Sequence, residues 1–214
     1  MNWIDLSLPI SKDMPVYPGD PAVDLSVFLT HEHDQVQATA LTMSCHAGTH
    51  LDAPRHFIPS GLTVDQIPPD WLSGPAFITS LPWRPGYHLD LRAADLSGYQ
   101  DGDILLLATG WDSRAGSPLF YQDIPLFASG SAQFLLSKGV RVFGLDLPTI
   151  VEAAEPPRPS AMHQSLLGAG LIVIESLAHL TELGGQRVDF MALPLRLAGC
   201  EGSPVRAVAR KIAL

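Results

Sequence analysis

The sequence predicts an α/β domain built on a mixed sheet or on two sheets. Three observations lead there. Short apolar runs of strand length outnumber helical signals. Three of those runs are continuous rather than alternating, as strands buried on both faces are. Strand and helix alternate too sparsely for a regular doubly wound fold.

Taken in order, residues 4–8 alternate apolar and polar side chains, the pattern of a half-buried strand, and residues 23–29 and 38–45 are candidates of the same kind. A short helix is expected near residues 64–71. Residues 104–108, 140–145 and 171–174 are the continuous runs and read as central strands. Between the first two of them, Ser131 is placed to cap a helix over 132–138, and Gly139 to end it in the left-handed conformation. Residues 152–159 hold the densest proline cluster and read as an exposed loop, with a third helix near 159–167. Residues 190–195 and 205–212 complete the strands.

The chain of 214 residues is long enough for one sizeable core and does not demand two, so residues 1–214 are read as a single domain. A formal net charge of −9 argues against a nucleic-acid partner, which needs clustered Lys and Arg, and leaves a small-molecule substrate open. No apolar run approaches the roughly 20 residues that span a bilayer, so no membrane partner is expected. The first residues lack a basic stretch followed by an apolar core, and the only cysteines, Cys45 and Cys200, read as reduced thiols, with one disulfide as the alternative. The expected location is the cytoplasm.

The chemistry concentrates in His46-Ala-Gly-Thr-His50-Leu-Asp52-Ala-Pro-Arg-His56. Three of the chain's eight histidines fall there with an aspartate, each a good ligand for a divalent transition metal. All four share one parity and would face one way on a strand. A straight strand would set His46 and Asp52 roughly 20 Å apart, whereas metal–ligand bonds are about 2.0–2.2 Å. The segment must therefore bend, most easily at Gly48, with Pro54 stiffening its exit. Further ligands must come from a distant segment, and His163 and Glu175 are the candidates. Glu175 closes an apolar run, where a carboxylate is costly unless paired or bound, though a surface position just past the strand end is the plainer alternative. Asp146 reads as a structural turn residue. His31 and His33 sit on a solvated stretch, and His88 and His179 read as surface or boundary residues. Tyr17, Phe57, Trp71, Trp83 and Trp111 are pocket candidates that could equally be core.

The eleven-residue motif resembles the signature of the metal-dependent cyclase family, which includes bacterial kynurenine formamidase and isatin hydrolase. Met14-Pro-Val-Tyr-Pro-Gly-Asp20, residues 106–111, residues 142–148 and the segments 192–196 and 202–206 resemble further family stretches, so the likeness covers nearly the whole chain. It departs at Val151, where a second aspartate is usual. The resemblance implies a swivelling β/β/α fold in a homodimer or homotetramer. It implies His46, His50, Asp52, His163 and Glu175 as ligands of one or two divalent ions, zinc or alternatively manganese, with Asp52 bridging. It implies His56 in acid–base work; of the aromatic pocket candidates, Tyr17 and Phe57 are the ones expected at the substrate. The expected reaction is hydrolysis of an amide or lactam bond, as in arylformamidase; an isatin-hydrolase-like lactam or ester hydrolase, or a lyase using the same cage, is the alternative.

Overall fold

The computed structural model describes residues 2–153 and 160–212. Its frame is a mixed sheet that closes on itself. In chain order the strands are β1 (Ile4–Asp5), β2 (Asp24–Leu29), β3 (Ala38–Thr42), β4 (His50–Asp52), β5 (Ser73–Ser80), β6 (Ile104–Ala108), β7 (Val142–Leu145), β8 (Ile172–Glu175), β9 (Arg187–Pro194) and β10 (Gly202–Lys211). The helices are α1 (His31–Asp34), α2 (Ser131–Ser137) and α3 (Ala161–Gly168). Around the ring the order is β10-β4-β8-β7-β6-β5-β9, and β9 pairs again with β10 to close seven strands. β5 through β8 run parallel and the remaining pairings are antiparallel. β1 adds to the outer half of β10, while β2 and β3 form a separate hairpin.

The apolar runs explain the closure. Every residue of β6, β7 and β8 is buried, because their two faces meet two different cores. Leu106, Ile174, Ile78, Phe190, Leu51 and Ala207 point to one core contributed by all seven strands, the interior of the ring. Their neighbours Leu105, Phe143 and Val173 point the other way and pack under α2 and α3 through Leu135 and Leu166. Period-two alternation thus fills both sides of the central strands. β9 keeps the alternation of a sheet with one wet face.

The structure moves several expected elements. The helix near 64–71 is instead two short 3-10 turns, Val64–Gln66 and Pro69–Trp71. Ile67, which precedes Pro68, is extended, as a residue before proline prefers. Ser131 does not cap α2: Gly130, at φ 90°, stands at that position, and the Ser131 hydroxyl donates to the Ala128 carbonyl at 2.7 Å. Gly139 does take the left-handed conformation, at φ 67°. The strand expected over 38–45 stops at Thr42, and β5 was not foreseen, because Gly74 and Pro75 interrupt its apolar pattern. Residues 154–159 of the expected loop lie outside the described residues. Among those described, no helix is long and apolar enough to cross a membrane.

Candidate metal centre

The motif enters the site by a turn. After Thr42 the chain leaves the hairpin, and Gly48 takes φ 70°, a left-handed bend that a side chain would strain. The bend lets residues 50–52 join the sheet as β4, between β10 and β8. β4 is short, and the register places His50 beside Glu175 of β8 and Asp52 beside Gly202 of β10. Glu175 is therefore the last residue of a buried strand, 3 % exposed, rather than a surface residue past its end. Pro54 opens a 3-10 turn that ends at His56 and carries that ring back over the motif, 4.2 Å from the His46 ring. α3 supplies His163 from the opposite side.

These side chains converge. His46 Nδ1 donates to Asp52 Oδ1 at 2.8 Å, and His50 Nε2 lies 3.5 Å from the same oxygen. His163 Nε2 lies 3.2 Å from Glu175 Oε1 and 3.7 Å from Asp52 Oδ2. His50 Nε2 is also 3.4 Å from Glu175 Oε2. Two triads result, His46–His50–Asp52 and Asp52–His163–Glu175, and they share Asp52 through its two oxygens. The donor atoms of each triad lie within 4.8 Å of one another, close enough to converge on one cation per triad. The donor set, imidazole with carboxylate, fits a divalent transition metal.

Hydrogen bonds behind the triads fix which nitrogens face inward. His50 Nδ1 donates to the Gly48 carbonyl at 2.8 Å, which turns Nε2 towards the carboxylates. His163 Nδ1 is buried without a hydrogen-bond partner among the described residues. His46 Nε2 faces Glu201 at 3.4 Å. Gly202 makes room for that ring, since a Cβ there would stand 2.7 Å from His46 Cε1.

The electrostatics follow from burial and proximity. Burial works against charge on His46, but the hydrogen bond and negative charge of Asp52 prevail and push its pKa up to about 9. His50 and His163 are raised in the same way, burial again opposing and Glu175 and Asp52 winning. Asp52 is held well below the usual carboxylate range: burial opposes its charge, and His46, His50 and His163 overcome it. Protons on the imidazoles thus balance carboxylate charge that a bound cation would balance instead. His56 behaves differently. Burial lowers its pKa, so the ring is neutral near pH 7 and free to accept a proton.

The site opens into a cavity of about 300 Å³. Tyr17 and Phe57 line it, as do three residues the sequence reading passed over: Asp20, Tyr121 and Thr149. Asp20 belongs to the quoted Pro-Gly-Asp turn, and that was its only signal; Tyr121 and Thr149 carried none. Phe57 stacks on His163 at 4.8 Å, and Tyr17 meets Tyr121 edge-on at 6.0 Å. Burial raises the Tyr121 phenol to about 12. Trp71, Trp83 and Trp111 do not line this cavity: Trp111 is fully buried, Trp83 packs against it at 5.0 Å, and Trp71 packs on the ring core. Asp146 lies outside it, accepting from the backbone and hydroxyl of Thr109 and the backbone of Gly110. His31, His33, His88 and His179 are exposed. Cys45 and Cys200 are both free, with their thiols within mutual influence beside Glu201.

Comparison with known proteins gives a consistent set. The family described as "Putative cyclase" matches residues 4–150. A kynurenine formamidase of Bacillus thuringiensis (strain Al Hakam) is 34 % identical over 213 residues, covering 99 % of this chain and 98 % of that protein. The structure of isatin hydrolase A from Labrenzia aggregata, bound to benzyl benzoate, superposes with a TM-score of 0.82 at 25 % identity, covering 99 % of this chain and 94 % of the other. A structure described as a potential metal-dependent hydrolase with cyclase activity gives a TM-score of 0.76 at 28 % identity, with 99 % of both chains covered.

Proposed function

This chain belongs to the Cyclase family, and from that premise we propose that it is a metal-dependent hydrolase of amide bonds, with an aryl formamide of the N-formylkynurenine type as its substrate. One observation supports this most: two His/carboxylate triads share Asp52 at the floor of a small aromatic cavity, with an uncommitted neutral histidine above them. The two triads favour two ions. The histidine-rich donors favour zinc, with manganese as the alternative.

A divalent cation in such a cage supplies Lewis acidity, polarising a carbonyl and making water more acidic. The protein's own groups do the rest. His50 is locked in the tautomer that presents Nε2, Asp52 offers one oxygen to each triad, and Glu175 offers Oε1 beside His163. His56 takes the proton that water gives up as it adds to the carbonyl carbon, then returns it to the leaving nitrogen as the C–N bond breaks. Its burial keeps it unprotonated and ready for the first half. The products are the free amine and the carboxylic acid. Tyr17 and Phe57 supply aromatic walls for the ring of the substrate, and the Tyr121 phenol, kept protonated, remains a hydrogen-bond donor.

The likeness to isatin hydrolase A supports a second reading in which the bond is the amide of a lactam. We further propose a cytoplasmic homodimer or homotetramer. Assembly is supported by the β2–β3 hairpin, whose Val27, Phe28 and Leu41 are more than half exposed and lie against no other strand. The test is chelation to the metal-free form, reloading with zinc or manganese, and assay on N-formylkynurenine and isatin. Turnover restored by metal on either is expected. Full activity in the stripped protein, or none on either substrate after loading, overturns the proposal.

A further inference from the structure

The cavity carries one carboxylate that the hydrolytic reading leaves unused. Asp20 comes from the turn at 17–20, closed by its own N–H donating to the Tyr17 carbonyl at 2.9 Å. It lines the cavity yet belongs to neither triad. Among the described residues no hydrogen bond or ion pair engages its carboxylate, and no Lys or Arg lines the cavity. Its walls are the rings of Tyr17 and Tyr121, set edge to face.

These facts define a charge pattern. Two divalent cations, if held by the triads, would outweigh the charges of Asp52 and Glu175 and leave the floor positive. Asp20 adds a negative group to the same cavity, outside both triads. A carboxylate in a cavity lined by aromatic rings and, among the described residues, without a cationic partner has the chemistry that binds an alkylammonium: an ion pair, charge-assisted hydrogen bonds and cation–π contact. We propose that Asp20 is a specificity-determining residue that selects substrates carrying a protonated amine on a side chain of the aryl amide. The inference rests on the amide-hydrolase reading and deepens it. It separates the two candidate substrates of that reading, since N-formylkynurenine carries an α-ammonium and isatin carries none.

The test compares matched substrates on the metal-loaded enzyme: N-formylkynurenine and its desamino analogue 4-(2-formamidophenyl)-4-oxobutanoic acid. The wild type should favour the ammonium-bearing member in kcat/KM, chiefly through KM. In Asp20→Asn that preference should shrink about tenfold, the scale of one charge-assisted hydrogen bond, and Asp20→Glu should retain part of it. Taking the ratio removes any loss common to both substrates, as from altered folding or metal content. An equal fall on both substrates, or a wild type without preference, overturns the role of Asp20. Binding of the corresponding amines, kynurenine and desaminokynurenine, to the same proteins by calorimetry gives the ratio without turnover. If neither formamide is hydrolysed the hydrolase reading fails, and the calorimetric ratio still decides on Asp20.

Discussion

At the scale of single residues, His46, His50, Asp52, His163 and Glu175 are the proposed holders of the cation and His56 the proposed carrier of protons. His56 stands outside both triads and is neutral near pH 7. Replacing it with alanine should lower kcat by about 10²–10⁴-fold, the usual worth of a general acid–base group, while metal content by atomic absorption stays at the wild-type level. Loss of metal in that variant would make His56 a ligand. Asp146 gives a pH prediction of a different kind. Burial, outweighing its hydrogen bonds to Thr109 and Gly110, raises its pKa from 3.8 to about 6. The folded state therefore binds this proton more tightly than the unfolded chain. The resulting stability is complete below about pH 4 and disappears as pH rises through 6, a change on the order of 3 kcal/mol. In denaturant melts, wild type should lose stability relative to Asp146→Asn by that order between pH 4 and pH 7, because the asparagine variant lacks the term. A constant difference across that range would mean that the carboxyl titrates normally.

At the scale of elements, the site exists because β4, the end of β8 and the start of β10 meet beneath α3, which supplies His163. Gly202 is the tightest point of that junction, where a methyl group would press on the His46 ring and on the Leu51 carbonyl at 3.1 Å. Gly202→Ala should weaken metal binding by tenfold or more through displacement of His46, with about 1–3 kcal/mol of overpacking strain visible in the melting temperature. Unchanged affinity in a titration of the stripped protein would show that the His46 position is not set by this contact. The same junction marks what the sequence could and could not reveal. The ligand types, and the need for a bend at Gly48, were readable locally, because they follow from residue chemistry and from the rise of a strand. The continuous runs gave β6, β7 and β8 for the same reason. The pairing of His50 with Glu175, 125 positions apart, is a matter of register, and nothing local encodes it. Asp20 and Tyr121 reach the cavity only through tertiary folding, which is why no local pattern placed them there. Ser131 shows the reverse failure: a good capping residue was displaced one position by a glycine able to adopt φ 90°.

At the scale of the whole molecule, the closed ring leaves one element without a core of its own. The β2–β3 hairpin buries no residue, and a two-stranded ribbon is marginal in water unless something covers it. Assembly through this arm predicts a dimer or larger species in sedimentation equilibrium, and Phe28→Glu, at a position 63 % exposed, should shift it towards monomer. A wild type that sediments as a monomer would remove the arm from the account. Everything functional nevertheless rests on one claim, that remote stretches of chain close around cations bridged by Asp52. Anomalous diffraction at the absorption edge of zinc or manganese, from crystals grown with that metal, tests it most directly. The account predicts two peaks flanking Asp52, one within bonding distance of His46 and His50 and the other of His163 and Glu175. Strong anomalous peaks elsewhere on the molecule, with none at Asp52, would contradict it.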